Sequence, residues 1–379
     1  MNKNNYCIIM AGGFGSRFWP VCTPNRPKQF EDVLATGKSM LEATFARFER
    51  ICPRENIIIV TGELYADRVR HLIKGLLPYQ VLSEPNRRNT APCVAYAASV
   101  ISEMNRSANV VVAPSDHVVF DEEAFVNDVE LGISAARQYK SIVTLGIHPT
   151  APNTKYGYIQ FKEDTDAKPP LPQDVYRVAT FTEKPSYEMA RVLVDSNEFL
   201  WNTGIFIWPM QVLKKAYKDY LPNIYKSFFK LKADTPAREV EDTYIHSDAI
   251  SIDFGIMEKA DNVLVVKASF QWSDVETWDS LFAVSKKAKQ LKGAENSDAG
   301  NNAFVSAGIV KQYDVTNTIV HLPANKNVVI QGLDNYIVAG DENTILICRR
   351  DHEELIDRYA SDIEIENLKR KYNARSGVK

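Results

Sequence analysis

The chain has 379 residues, a formal net charge of −3 and 45% apolar residues, which favours a folded two-domain protein over a disordered one. Without a basic excess it is a poor candidate for binding nucleic acid by neutralising phosphates, so no nucleic-acid partner is expected. No apolar run approaches the ~20 residues of a membrane span, and five dispersed cysteines form no CxxC pair, which predicts a cytoplasmic protein without disulfides or a membrane partner.

The N-terminal part of the chain alternates between apolar strands and helical patterns. The predicted elements are strand Cys7–Met10, helix Met40–Arg50, strand Ile57–Thr61, helix Tyr65–Leu76, strand Gln80–Leu82, helix Pro92–Met104, strand Asn109–Ala113, helix Glu122–Gln138 and strand Ile142–Gly146. Because the strands are apolar on both faces, they predict an α/β fold with a doubly wound, mostly parallel, Rossmann-like sheet. Ligands of such a sheet bind beyond the carboxyl ends of its strands.

From Tyr156 the sequence shows the alternation of strands, with two helices between them. The predicted strands are Tyr158–Phe161, Val175–Phe181, Gly204–Trp208 and Val263–Lys267, and the helices are Tyr187–Ser196 and Val212–Tyr220. The Lys-, Ala- and Asn-rich segment Ser285–Asn301 predicts a linker, so the expected domains are 1–288 and 289–379. Short β runs in Ala303–Arg349, followed by a helix at Asp351–Tyr359, predict a small β module, for which a β-helix-like coil is one interpretation.

A glycine-rich turn follows the first predicted strand and reads Ala11-Gly12-Gly13-Phe14-Gly15-Ser16-Arg17. Glycines after a buried strand let backbone N–H groups approach an anion, and Arg17 and Lys28 add positive charge. The spacing matches neither the dinucleotide fingerprint nor a Walker loop, and the prolines that follow exclude an immediate long helix. The turn therefore predicts a triphosphate site of another kind, with an ordinary structural turn as the alternative.

Together with further blocks, this turn resembles the sugar-1-phosphate nucleotidylyltransferases over residues 7–285. The blocks are Pro114-Ser115-Asp116-His117, Tyr156-Gly157-Tyr158-Ile159, Glu183-Lys184-Pro185, Trp201-Asn202-Thr203-Gly204-Ile205-Phe206, Ser251-Ile252-Asp253 and Trp272-Ser273-Asp274-Val275. Pro27-Lys28-Gln29-Phe30 and Arg88-Asn89-Thr90-Ala91-Pro92 favour the mannose-1-phosphate guanylyltransferase branch. The resemblance implies transfer of GMP from GTP to mannose 1-phosphate by direct in-line attack, with Mg²⁺ as cofactor. Glu276 departs from the family pattern, which has glycine at this position.

The resemblance also implies roles for individual residues. The implied catalytic cations are Arg17 and Lys28, and the implied metal ligands are Asp116 and Asp274, whose carboxylates suit Mg²⁺. The nucleotide-binding residues are Ala11, Gly12, Gly13, Gly15, Glu84, Asn89, Thr90 and Ser115, and the sugar-phosphate-binding residues are Gly157, Glu183, Lys184 and Asn202.

Several of these residues have a structural alternative. Asp116 could be a turn residue, Lys184 an exposed lysine and Asn202 a strand terminus, while Asp253 is either a turn residue or a sugar contact. We expect a structural role for His117, since no second histidine lies at ligand spacing.

Two other functions also remain open. One is a nucleotidyltransferase for another sugar 1-phosphate, such as a heptose or glucose ester. The other is a non-catalytic sugar-nucleotide sensor, although a sensor should have lost one of the four catalytic or metal-binding residues, and this chain keeps them all. The C-terminal module resembles extensions that relatives use for dimer contacts, which implies a homodimer.

Overall fold

The computed structural model describes residues 2–13, 15–164, 166–291, 301–305 and 308–376. The chain divides into two compact units, each built from several segments. The first unit contains Met1–Gly12, Leu41–Ser115 and Val119–Trp272, and the second contains Gly13–Met40, Asp116–Val118 and Ser273–Lys379. The division into domains 1–288 and 289–379 stays a prediction.

Eleven of the described strands precede residue 275. They are β1 Asn5–Ala11, β2 Ile57–Gly62, β3 Val81–Glu84, β4 Asn109–Pro114, β5 His117–Val119, β6 Ile142–Ile147, β7 Tyr158–Lys162, β8 Val175–Thr182, β9 Phe199–Pro209, β10 Val263–Lys267 and β11 Trp272–Asp274. The described strands that follow are β12 Ala303–Phe304, β13 Val310–Tyr313, β14 Ile319–His321, β15 Val328–Gln331, β16 Tyr336–Gly340 and β17 Ile345–Arg349.

The described α-helices number ten, and the last of them follows the β module. They are α1 Met40–Phe48, α2 Ala66–Leu72, α3 Thr90–Met104, α4 Glu122–Tyr139, α5 Tyr187–Asp195, α6 Met210–Tyr220, α7 Pro222–Phe228, α8 Ala237–Ile245, α9 Trp278–Leu291 and α10 Ile356–Ser376. Among the described helices, none has both the length and the apolar character that crossing a bilayer requires.

Nine strands of the first unit form one mixed sheet in the order β3-β2-β1-β4-β9-β6-β10-β8-β7. Strands β3, β2, β1 and β4 are parallel, as the sequence predicts. Strand β9 lies antiparallel between β4 and β6, and β7 and β8 are also antiparallel to their neighbours. The α/β fold class is confirmed, while the second half of the sheet has more antiparallel pairs than expected. Strand direction depends on which strands become neighbours, and an apolar run does not carry that information.

The register of β1 and β4 positions the beginning of the candidate site. Met10 is paired with Pro114, so both strands end at the same edge of the sheet. The backbone N–H of Ser115 donates to the Met10 carbonyl at 3.1 Å, which continues this alignment by one residue. Helix α3 packs on this sheet and is buried from Ala91 to Ser102. The ends of β1 and β4, which precede predicted site residues, are therefore supported by a buried hydrophobic core.

The β module of the second unit contains parallel strands that recur at short intervals. Strands β12, β14 and β16 pair in parallel through Ala303, Ile319 and Ile337, and β13 pairs in parallel with β15. Side chains such as Val320 and Val338 fill the interior. This arrangement agrees with a β-helix-like coil, which β17 ends by pairing antiparallel with β16. The predicted terminal helix is longer than expected, since α10 continues to Ser376.

The linker prediction is wrong over Ser285–Leu291, because this segment is the second half of α9. Its lysine, alanine, glutamine and leucine residues are good helix formers, and buried Trp278 and Leu281 anchor the preceding turns. The rest of the predicted linker, residues 292–300, lies outside the described residues.

Candidate active site

The glycine-rich turn has the backbone conformation that requires glycine. Gly13 and Gly15 have φ angles of +90° and +65°, in the left-handed region that side chains disfavour. A Cβ on Gly15 would lie only 2.7 Å from the Cβ of Lys28. The side chain of Gln29 donates to the Gly13 carbonyl at 3.0 Å. The glycines therefore allow the segment that carries Lys28 to pack directly against the turn. Phe14, which belongs to the same turn, lies outside the described residues.

Lys28 is buried between two carboxylates, with 4% of its surface exposed. Its Nζ donates to the Val275 carbonyl at 2.6 Å and lies 2.8 Å from Asp116 Oδ2 and 4.0 Å from Asp274 Oδ1. Burial lowers the pKa of Lys28, but the two carboxylates raise it, and the net pKa lies above its usual value. Lys28 is therefore a permanently charged counter-ion for this acidic pair.

One lysine does not balance both carboxylates. For Asp116, burial raises the pKa, but the charge of Lys28 lowers it, and the net pKa is below its usual range. For Asp274, burial and the neighbouring Asp116 carboxylate raise the pKa well above its usual range. The second carboxylate therefore lacks a full counter-charge, which a divalent cation would supply.

Ligand atoms of Asp116, His117 and Asp274 lie within 4.8 Å of one another. The pairing of β5 with β11 brings these residues together, because Asp116 precedes β5 and Asp274 ends β11. Two carboxylates with room for water suit Mg²⁺, whereas an imidazole nitrogen is more typical of transition metals. The residues present therefore fit a divalent cation held by the two aspartates. His117, expected to be structural, also belongs to this group.

Arg17 reaches the same group through Glu276. Its Nη1 lies 3.7 Å from Glu276 Oε2, and half of its side chain is exposed. The backbone N–H of Glu276 donates to the carbonyl of Asp274 at 3.0 Å. The four residues predicted for catalysis and metal binding thus belong to one connected cluster of the second unit, which we call the Lys28 cluster (Arg17, Lys28, Asp116, Asp274 and Glu276).

Three predicted nucleotide-binding residues lie at the strand ends of the first unit. Ala11 is buried and its carbonyl accepts a hydrogen bond from Thr61 Oγ1 at 2.9 Å. Ser115 is buried, and its carbonyl accepts from Thr44 Oγ1 at 3.3 Å. Gly12 is exposed, with open space where a Cβ would lie. Ala11 and Ser115 hold the backbone in place, and nucleotide contact by all three stays a prediction.

Three further predicted nucleotide-binding residues, Glu84, Asn89 and Thr90, are already engaged in hydrogen bonds within the first unit. Glu84 Oε1 accepts from the Tyr244 hydroxyl at 3.1 Å, and burial raises the pKa of Glu84 to about 7. Asn89 caps α3 by accepting from the Thr90 N–H at 2.9 Å, and Thr90 Oγ1 accepts from the Ile252 N–H at 2.9 Å. These bonds shape the loop between β3 and α3, and nucleotide binding by this loop stays a prediction.

The four predicted sugar-phosphate residues lie in the first unit, where Gly157 directly precedes β7, Glu183 and Lys184 follow β8, and Asn202 lies within β9. Lys184 Nζ pairs with Glu183 Oε1 at 3.0 Å, with 59% of the lysine side chain exposed and 9% of the glutamate. A Cβ on Gly157 would lie 2.5 Å from Glu183 Oε2 and 3.3 Å from the Cβ of Asn202. Gly157 therefore makes room for the Glu183 carboxylate, and the structure brings these four residues together.

Asn202 lies inside β9, so it does not terminate a strand. Its Oδ1 accepts from Thr144 Oγ1 at 3.1 Å and from the Gly204 N–H at 3.2 Å, while its Nδ2 donates to Asp253 Oδ1 at 3.1 Å. Burial and the Glu183 carboxylate raise the pKa of Asp253 to about 6. Asp253 thus belongs to a group that we call the sugar group (Gly157, Glu183, Lys184, Asn202 and Asp253).

Sequence reasoning misses two partners in these sites. Tyr244, which donates to Glu84, lies on α8, a helix that the sequence analysis does not predict. Glu276 appears in the sequence only as a departure from a motif, and that departure is its signal. The sequence leaves two roles open for Asp253, a turn residue or a sugar contact. Its hydrogen bond with Asn202 places it beside the predicted sugar-phosphate residues, and contact with the sugar stays a prediction.

Comparison with known proteins identifies the family to which this fold belongs. Residues 6–290 match the nucleotidyl transferase family model, and the chain therefore belongs to this family.

Two curated relatives and one solved structure are similar over most of the chain. Xanthan biosynthesis protein XanB of Xanthomonas campestris pv. campestris (strain B100) is 32% identical over 365 residues, covering 94% of this chain and 73% of the relative. Mannose-1-phosphate guanylyltransferase of Salmonella montevideo is 31% identical over 377 residues, covering 95% and 74%. A crystal structure described as mannose-1-phosphate geranyltransferase from Thermus thermophilus is similar with a TM-score of 0.81 at 28% identity, covering 95% of this chain and 99% of that one.

Proposed function

We propose that the chain transfers GMP from GTP to mannose 1-phosphate, giving GDP-mannose and pyrophosphate. The observation that carries this proposal is the Lys28 cluster, in which three carboxylates, a buried lysine and a half-exposed arginine adjoin a glycine turn. The similarity to a relative named mannose-1-phosphate guanylyltransferase supports the choice of nucleotide and sugar.

The reaction needs no nucleophile from the protein, because the phosphate of mannose 1-phosphate is already ionised. One of its oxygens forms a bond to the α-phosphorus of GTP, while the bond from that phosphorus to the bridging β-phosphate oxygen breaks and pyrophosphate leaves. The protein contributes position and charge. Arg17 binds the phosphates of the nucleotide, and Lys28 holds the Asp116 carboxylate in place.

Mg²⁺, held by Asp116 and Asp274, would neutralise negative charge on the phosphates. Lys28 keeps Asp116 ionised and therefore able to act as a ligand. In this arrangement the positive charge of Lys28 stabilises the carboxylates as well as the phosphates of the substrate.

The sugar group of the first unit provides the contacts that mannose 1-phosphate needs. Lys184 offers an exposed cation to the phosphate monoester. Glu183 and Asp253 offer acceptors for sugar hydroxyls, and Asn202 holds Asp253 through a 3.1 Å hydrogen bond.

A pyrophosphate-release assay tests this function with the full chain, Mg²⁺, all four nucleoside triphosphates and a panel of mannose, glucose and heptose 1-phosphates. We expect the highest kcat/KM for GTP with mannose 1-phosphate and loss of release with EDTA. A higher kcat/KM for another pair would refute the substrate assignment. Binding of nucleotide without release from any pair would show a sensor.

The proposal extends to a homodimer, as the family resemblance implies, and to the cytoplasm, as the composition and the cysteine pattern predict. All five cysteines lie in the described part of the chain, where each is buried and none forms a disulfide, which suits a reducing compartment. Sedimentation equilibrium of the purified chain would give twice the 42.8 kDa mass of one chain for a dimer.

A further inference from the structure

Glu276 adds a third carboxylate to the Lys28 cluster. In this chain the Glu276 carboxylate reaches Arg17, with Oε2 at 3.7 Å from Nη1. Its backbone is also held in place, because its N–H donates to the Asp274 carbonyl at 3.0 Å.

This carboxylate changes the charge that a nucleotide meets. The cluster contains two basic and three acidic side chains, and Glu276 is the carboxylate that lies beside Arg17. A polyphosphate therefore meets a less positive field at Arg17 than it would without Glu276, and it must also replace that carboxylate at Arg17.

We propose that Glu276 competes with nucleotide phosphates for Arg17 and so makes the site discriminate against nucleotide that arrives without a divalent cation. This inference rests on the proposed function, since it assigns phosphate binding to Arg17. Glu276 is then a specificity-determining residue of that site. A divalent cation at Asp116 and Asp274 would offset the third carboxylate, whereas metal-free nucleotide meets its full repulsion.

The expected size of the effect follows from the exposure of the pair. Half of the Arg17 side chain and 38% of the Glu276 side chain are exposed, so water screens their attraction. Ion pairs of this kind change affinities by about two- to five-fold. We therefore expect removal of the Glu276 charge to tighten binding of metal-free GTP by about two- to five-fold, with a smaller change for GTP in excess Mg²⁺.

The test is isothermal titration of GTP into the full chain, in EDTA and in excess Mg²⁺, at two salt concentrations. The variants are Glu276→Gln, which keeps the shape of the side chain, and Glu276→Gly, which removes the side chain. Asp279→Asn is the matched control, because it removes an exposed carboxylate three positions later that pairs with Arg350 instead.

Both Glu276 variants should tighten metal-free GTP binding relative to wild type and Asp279→Asn, and the gain should shrink at high salt. Unchanged or weaker binding in both variants would overturn the inference, and weaker binding would show that Glu276 positions Arg17 or holds the metal. If the wild-type chain binds no GTP even with Mg²⁺, the proposed function itself is wrong, and the inference is overturned with it.

Discussion

The ionised carboxylate of Asp253, which belongs to the sugar group, lowers the free energy of unfolding of the chain. Burial and the Glu183 carboxylate raise its pKa from 3.8 to about 6. A rise of this size corresponds to about 3 kcal/mol of free energy of unfolding. The pKa is higher in the folded chain than in the unfolded chain. The full free energy of unfolding is therefore present below pH 3.8, and about 3 kcal/mol of it is lost as the pH rises through about 6.

The substitution Asp253→Asn removes the ionisation while keeping an oxygen that accepts from Asn202. At pH 8 the variant should therefore be more stable than wild type, by up to about 3 kcal/mol. At pH 4 the difference should fall below about 1 kcal/mol, because the wild-type carboxyl is then mostly protonated in the folded chain.

Urea unfolding curves of both proteins from pH 4 to pH 8, with a probe in the first unit, measure this difference. Asp248→Asn is the matched control, since Asp248 is an exposed aspartate of the same segment. A variant that is less stable at pH 8, or a difference that does not change with pH, would refute the reasoning. The same variant should raise KM for mannose 1-phosphate, because the Asp253 carboxylate is proposed to accept hydrogen bonds from the sugar hydroxyls.

Three further substitutions test the Lys28 cluster and the glycine turn that packs against it. Lys28→Ala should lower kcat by about 10²–10³ in the pyrophosphate-release assay and also lower the melting temperature, because two carboxylates lose their counter-charge; near-normal turnover would remove Lys28 from the mechanism. Asp274→Asn should weaken Mn²⁺ binding measured by electron paramagnetic resonance, and an unchanged Mn²⁺ titration would contradict the metal assignment. Gly15→Ala should cost about 1–3 kcal/mol in urea unfolding and lower kcat, because its φ is +65° and its Cβ would lie 2.7 Å from that of Lys28; wild-type stability and turnover would show that the turn tolerates a side chain.

The parallel part of the sheet and the motif blocks can be read from the sequence because they depend on local signals. Strand β1 and the glycines after it follow from an apolar run and from the need for left-handed φ at Gly13 and Gly15. The sequence predicts Asp116 at the carboxyl end of β4, and it lies two residues beyond that end.

Other features depend on which distant segments meet. The direction of β9 depends on its placement between β4 and β6. The hydroxyl of Tyr244 reaches Glu84 from a helix far along the chain. Residues Ser285–Leu291 are helical, as the helix propensity of their lysine, alanine, glutamine and leucine residues favours. The linker prediction is wrong there because it relies on the asparagines further along the chain.

By itself, the sequence determined the kind of chemistry available, since residue types and the glycine turn restrict what a site can bind. Only the tertiary structure decided how the charges are shared. It buried Lys28 beside Asp116, left Asp274 short of a counter-charge and paired Arg17 with Glu276. The physical reason is that charge balance depends on distance and burial, and residues separated by most of the chain acquire both only when it folds.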